Sequence, residues 1–408
     1  MTQQGSPSNR SGLGVLASLA ALATLATNII LPAFPEIGRS MSVSTQGLAI
    51  TLSAFFIPFA LGQLVVGPLS DRLGRKGLML SGLILLTIGS IICALAVRLE
   101  WLILGRVIQG LGACAPSVLA RSIARDRFEG IALSRALSFI MVAMAAAPGF
   151  SPLAGGLLSN AMGWRSVFWL VAGLAVMSGL LYMKCIGETH PHPLRRKVSF
   201  TTTFTTSLQL LSDARFIAPA IAVGLASGGL MTFFAATPAV LMDGLTLTPI
   251  ELGYFFAATV FVVFAAGLAA PKLAARWGVP FIATAGSAIS LVGGIALLSG
   301  SMGLFHFSIS VSVFLFGAGL LNPLGTAMAL QSVGTQAGAA SALLGFLQMS
   351  MATLGITAIT ALDRPIYESL GGVLAAGMGL ALFCLLVFRK IHLRRTPRLE
   401  RASADLNN

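Results

Sequence analysis

Polar positions in this chain fall in short clusters, and between the clusters run stretches of about twenty apolar residues. A helix rises about 1.5 Å per residue, so roughly twenty residues cross a hydrocarbon layer ~30 Å thick. Twelve such stretches are read, near 12–34, 48–69, 78–97, 101–123, 135–159, 164–186, 216–241, 251–271, 279–300, 304–330, 338–361 and 370–390. They predict an all-α membrane protein with twelve transmembrane helices, and the even count puts both ends on one side. The polar lead Met1 to Ser11 is followed by an apolar run longer than the core of a cleaved signal, so the first span is expected to stay.

The longest polar connection, 187–212, holds Pro191, Pro193 and the cluster Arg195, Arg196, Lys197. It divides the chain into 1–186, a linker 187–212, 213–390 and a basic tail 391–408. Six spans on either side suggest two pseudo-symmetric six-helix bundles with a substrate path between them near mid-membrane. A faint repeat agrees. Asp71-Arg72-Leu73-Gly74 follows span 2 and Ala275-Arg276-Trp277-Gly278 follows span 8, the second copy without the acid.

Composition narrows the class. Apolar residues make up 56% of 408 and charged ones 10%, where a soluble domain carries roughly 25% charged residues. The 45 glycines suit helices that pack closely in lipid. Cys93, Cys114, Cys185 and Cys384 lie in apolar stretches at no metal-ligand spacing and read as core thiols. His190, His192, His306 and His392 form no catalytic set, so neither an enzyme nor a cofactor or metal is expected.

The net charge of +13 is unevenly placed. Of the 26 Lys and Arg, 21 fall in connections on one side of the spans, 4 on the other, and Arg106 alone lies within a span. Basic loops stay in the cytoplasm, which places both termini there. The excess reads as a topology signal and not as a nucleic-acid footprint. The tail after Arg389 serves as a passive anchor or leans on anionic headgroups.

Three strings carry more information. Gly67 to Lys76 reads G-P-L-S-D-R-L-G-R-K, a helix end and a turn at Gly74 with Asp71 among the bases Arg72, Arg75 and Lys76. Asp71 is expected to pair with bases at the end of span 4, near Ala124-Arg125-Asp126, or with a helix N-terminus. Such a clamp holds with one face closed and loosens when it opens. L-I-L-G-R-V-I-Q-G-L-G-A (Leu102 to Ala113) runs through span 4. A-P-G-F-S-P-L-A-G-G (Ala147 to Gly156) runs through span 5, where Pro148 and Pro152 each remove a backbone bond and Gly155 and Gly156 admit a close neighbour. That stretch is expected either to pack tightly or to act as a hinge or seal. Together these strings resemble the motifs of the major facilitator superfamily across nearly the whole chain. L-P-A-F-P (Leu31 to Pro35) and A-G-A-A-S-A-L-L-G-F-L-Q-M (Ala337 to Met349) resemble its Bcr/CflA drug-resistance branch. The resemblance implies a transporter of the bacterial inner membrane, the two-bundle fold, efflux, and proton antiport with Pro148 to Gly156 limiting leak.

A charge inside lipid costs at least roughly 2.5–3.5 kcal/mol, so Arg106 is a functional-site candidate. Counted from the span ends, Arg106 lies about 9 Å and Asn28 about 10 Å from the same face, and Gln109 shares the Arg106 side of its helix. In related antiporters the position before the L-P segment is an aspartate; here it is Asn28, which neither titrates nor neutralises an arginine. Either Gln109, Asn28 and helix carbonyls satisfy Arg106, or it is left positive to receive an anionic group of the substrate. The second is the expectation, since a buried charge without a carboxylate partner is otherwise unexplained. Phe56, Phe233, Tyr254, Asn322 and Gln348 are expected as further handles along an apolar path, Asn322 with the alternative of capping a helix broken at Pro323.

The chain is thus expected to be a secondary transporter that exports amphipathic drugs or metabolites, acting as a monomer on a small-molecule substrate in the bilayer. Export of an anionic metabolite such as a carboxylate siderophore is the second reading. A non-transporting sensor on the same fold is the third.

Overall fold

The computed structural model describes residues 7–44, 47–191, 200–299, 303–331, 333, 337–362 and 364–405. The basic linker cluster Arg195, Arg196 and Lys197 lies outside them. Every regular element among the described residues is helical. The first six spans are α1 (Pro7–Asn28) continued by α2 (Phe34–Met41), then α3 (Ile50–Leu73), α4 (Arg75–Leu95), α5 (Leu99–Arg127), α6 (Gly130–Met162) and α7 (Arg165–Cys185). A linker helix α8 (Phe200–Ser212) precedes α9 (Ala214–Pro238), α10 (Pro249–Trp277), α11 (Val279–Ser299), α12 (Leu304–Gln331), α13 (Ala337–Ala361) and α14 (Ile366–Asp405). Twelve spans, the first being Gly12–Met41 and the seventh Ala214–Gly244, are long and apolar enough to cross a membrane.

Helices form because lipid offers the backbone no other hydrogen-bond partner. They stop where the backbone can turn. Gly74, Gly163 and Gly278 take φ of 98°, 78° and 85°, which a side chain would strain, and each follows the last residue of a span. The start of α10 carries a capping box, the Thr248 hydroxyl accepting from the Glu251 amide while Glu251 accepts from the Thr248 amide.

Three spans are not single helices, the second opening with a 3-10 turn at Gly47–Ala49 before α3. The first was read as ending near Pro35; it breaks after Asn28 instead, passes a 3-10 turn at Leu31–Ala33 and resumes as α2 to Met41. Pro32 and Pro35 have no N–H to continue the ladder. The seventh ends in a π-helical turn, Ala239–Gly244, just after Pro238.

Within the first six spans α5 packs against α1, α3 and α4, and α6 against α1. Within the last six α9 packs against α12, α13 and α14, and α11 against α12 and α14. The two groups meet along α6 with α10 and α3 with α13, and at the Leu31–Ala33 turn, which touches α9 and α10. Large apolar side chains such as Ile84, Leu180, Phe261, Leu268 and Phe383 stay exposed, as expected of surfaces that face lipid.

Candidate functional site

Arg106 is fully enclosed, with no accessible surface. Its guanidinium reaches three elements. Nη1 donates to the Ala26 carbonyl at 2.9 Å and to the Gln109 carboxamide oxygen at 3.0 Å, Nη2 to the Thr27 carbonyl at 3.4 Å, and Nε to the Thr51 carbonyl at 3.3 Å. The Phe55 ring covers the guanidinium with its centre 4.7 Å away. In a medium of low dielectric a positive group needs such acceptors and a π-face to remain charged.

Gln109, also fully enclosed, passes the arrangement on to α4. Its carboxamide nitrogen donates to the Ser90 hydroxyl at 2.7 Å, and that hydroxyl donates to the Leu86 carbonyl at 2.7 Å. Asn28 takes another course: its carboxamide donates to the Thr24 carbonyl, one turn back in α1, at 3.0 Å. Thus Arg106 meets the backbone of the two residues before Asn28, Ala26 and Thr27, and not the Asn28 side chain. The favoured expectation of an arginine open to an anion does not match this enclosure. Neutral acceptors take its donors, as in the first of the two readings, with Asn28 removed from the set.

The apolar handles divide between buried and open. Phe56 packs edge-on against Phe55, centres 6.1 Å apart, and Phe59 stacks on Phe55 at 5.7 Å. Phe233 is fully buried in a ring cluster with Phe234, Phe255 and Phe256, at 5.2, 6.4 and 5.9 Å, and Phe255 extends it to Phe307 at 5.9 Å. Tyr254 does not join them. It is 61% exposed, because the neighbouring Gly253 is the residue of α10 that faces α6 and Tyr254 points about 100° away around the helix. Asn322 is half-buried and accepts from the Ser227 hydroxyl at 2.8 Å. Because α12 runs unbroken through Pro323, Asn322 caps no break. Gln348 is half-buried on α13.

At the basic end of the bundle Asp71 accepts from Arg75 Nη1 at 2.6 Å, and Arg75 Nε donates to Asp126 at 3.1 Å. Arg75 also bonds the Ser70 hydroxyl. The expected pairing is therefore reversed: the end of span 4 supplies an acid, Asp126, and the base comes from the first turn of α4. Arg72 and Arg125 are exposed beside this cluster. Glu188, which the sequence reading passed over as linker, accepts from the amides of Arg75 and Lys76 at 2.9 and 3.3 Å. Thr189 donates to Asp126 at 3.1 Å. A signal for Glu188 exists in retrospect. The start of α4 has Gly74 as its cap and no side chain of its own to serve its free amides, so an acid from elsewhere has to.

The span-5 stretch forms the seam with the last six spans. Pro148 and Pro152 lie inside α6, which stays one helix through both, and the Ser151 hydroxyl between them has no hydrogen-bond partner among the described residues. A β-carbon on Gly155 would overlap the Ile29 carbonyl. One on Gly156 would stand 2.5 Å from the Pro249 oxygen, and one on Gly253 2.7 Å from the Leu153 Cα. On the other flank Gly345 of α13 abuts the Gln63 side chain of α3. Beyond the seam, at the end away from Asp71, lies an open cleft of about 1050 Å³ lined from both groups of spans, by Glu36, Arg39 and Ser159 on one side and Met242, Asp243 and Leu247 on the other.

Residues 16–356 match the family model described as Major Facilitator Superfamily. An uncharacterized MFS-type transporter of Bacillus subtilis, YdgK, is 30% identical over 83% of this chain and 86% of its own length. A bicyclomycin resistance protein homolog of Haemophilus influenzae is 25% identical over 83% and 86%. The crystal structure of the nucleoside transporter NupG superposes with a TM-score of 0.70 over 95% of this chain and 99% of its own, at 13% identity, which speaks to the fold alone.

Proposed function

The chain belongs to the major facilitator superfamily, and we propose that it is a bacterial inner-membrane efflux permease for small amphipathic molecules. It works by alternating access as a monomer, with the Asp71 end and both termini in the cytoplasm. Its membership makes it a multi-pass membrane transporter and not an enzyme. Efflux, orientation and substrate class are the proposal. The bicyclomycin-resistance relative supports drug export, and the basic connections support the orientation.

The observation that carries this reading is the pair of glycine-lined contacts between the first and last six spans. Contacts this close, with an open cleft beyond them, suit rigid groups that rock against each other and trade one opening for another. The substrates of this reading are uncharged or cationic. Arg106, the one charge that the sequence pattern puts deep within a span, is enclosed by Phe55 and backbone and so offers an anion no open donor. For the same reason an anionic metabolite is the weaker reading.

Proton antiport is what the drug-resistance branch implies. Position 28 is an amide here, and the acids Glu36, Asp71, Glu100, Asp126, Asp243, Glu251 and Glu368 all lie at span ends. The proposal therefore has substrate flux that needs no pH gradient. Purified protein in liposomes, given a lipophilic cationic dye, a neutral amphipath and a carboxylate dye, tests all of this. Saturable flux of the first two, equal with and without a pH gradient, is expected. Flux of the carboxylate dye alone, or accumulation driven by the gradient, would contradict it, and no flux of any probe would favour a sensor.

A further inference from the structure

The acceptors of Arg106 are not scattered carbonyls. The ladder of α1 ends where the Ile29 amide donates to the Leu25 carbonyl at 3.0 Å. In a continuous helix the next two carbonyls, Ala26 and Thr27, would receive the amides of Ile30 and Leu31. Here Ile30 leads into the 3-10 turn, and its amide makes no such bond to Ala26. Ala26 and Thr27 are the two carbonyls to which Nη1 and Nη2 of Arg106 donate. Two adjacent amino groups of one planar fork thus serve two successive carbonyls of the last turn before the break, Ala26 being the one that the ladder leaves free. A positive group at a helix C-terminus is also favoured by the helix dipole.

The same device recurs at other helix ends. Arg165 Nη2 donates to the Ala96 carbonyl just past α4 at 3.1 Å. Arg127 Nη1 donates to the Cys185 carbonyl at the end of α7 at 3.2 Å. A ring nitrogen of His306 lies 2.9 Å from the Ala296 carbonyl in the last turn of α11. These three stand at or near the ends of the bundle. Arg106 performs the task inside it, because span 1 breaks inside it.

We propose that Arg106 is the C-cap of the broken first span and a positioning residue for transport. It fixes the break so that the Leu31–Ala33 turn of span 1 meets α9 and α10 of the last six spans, and so that the Ile29 carbonyl seats against Gly155. It acts on the substrate through this segment and does not touch it. The inference rests on the transport reading only for its kinetic consequence; the capping itself stands apart from that reading.

Two readouts separate the cap from a receptor. The first needs no transport. Arg106→Gln strands the two carbonyls and lowers the thermal midpoint of the purified protein. Pro32→Ala restores an amide at the break and lets the Ile30 amide close the helix on the Ala26 carbonyl, so in that background roughly half or more of the drop disappears. Equal drops in both backgrounds overturn the cap. The second is kinetic. Arg106→Gln lowers the maximal flux about tenfold or more for neutral and cationic probes alike, with KM within about twofold. A rise in KM confined to one charge class overturns the positioning role. Should Arg106→Gln fail to accumulate in the membrane, Arg106→Lys serves in its place, since one ammonium keeps the charge but replaces the fork, and the same suppression by Pro32→Ala is required of it. If no probe is transported by the natural protein, the proposed function fails while the thermal readout still decides the cap.

Discussion

The turns after spans 2 and 8 share a backbone and differ in chemistry. In both, a glycine with φ near 90°, Gly74 at 98° and Gly278 at 85°, ends the helix with its amide on the carbonyl four residues back, at 3.0 and 2.8 Å. Three residues before the glycine the first copy has Asp71, drawn into the cluster with Arg75, Asp126 and the Glu188 cap. The second has Ala275, and its basic residue, Arg276, lies over the Trp277 ring at 5.0 Å. The glycine is a requirement of the fold and so occurs twice. The ion cluster is an addition made once.

The contrast extends through the two groups of spans. The first six hold a directional network, Arg106 to Gln109 to Ser90, whose bonds fix distances between α1, α3, α4 and α5. The last six are joined by the ring cluster around Phe233 and by neutral bonds, the Ser287 and Ser290 hydroxyls donating to the carbonyls of Met378 and Phe314. Ring contacts are less directional than a bidentate guanidinium and tolerate sliding. In the proposed permease the first group then sets the geometry of the gate and the second adapts to varied apolar substrates.

The largest test of this contrast is in the feature the two copies share. Gly74→Ala and Gly278→Ala should each destabilise the protein by about 1–3 kcal/mol, since both force a side chain into backbone space that only glycine occupies readily. Denaturation midpoints that differ strongly between the two would break the claim of a common backbone need. Next comes Asp71→Asn, expected to slow transport about tenfold with KM little changed, because a clamp removed from one face alters turnover and not binding. A normal rate would remove the clamp. Glu188→Gln should slow it about threefold, in keeping with the weakening of charge-assisted bonds to two amides. Arg276→Ala, in the copy without the cluster, should stay within about twofold, as expected of an exposed cation–π pair; a tenfold loss there would erase the distinction between the two turns.

The spans were legible in the sequence because lipid imposes one rule on every residue of a crossing helix, and twenty apolar residues satisfy it in only one way. The contact between Arg106 and Gln109 followed from their spacing of three on a helix. What the spacing did not carry was the break in span 1. Pro32 and Pro35 were read as closing the helix, whereas the chain turns and goes on to Met41, and this exposes the carbonyls that Arg106 meets. Depth counting put Asn28 and Arg106 in one layer but gave no azimuth, so the Asn28 side chain was expected where backbone is found. The outward turn of Tyr254 was missed for the same reason. Glu188 was hidden by distance along the chain, 113 residues from the amide of Arg75 that it accepts.

The central claim, that the buried arginine holds a broken helix and does not hold the substrate, is tested most directly by the flux kinetics of Arg106→Gln. They are measured in liposomes with a neutral and a carboxylate probe side by side. The account predicts that maximal flux of the neutral probe falls about tenfold or more while its KM moves less than about twofold, and that the carboxylate probe gains no saturable flux in either protein. A natural protein that transports the carboxylate probe, with a KM that rises about tenfold on loss of Arg106 while the neutral probe is unaffected, would contradict it.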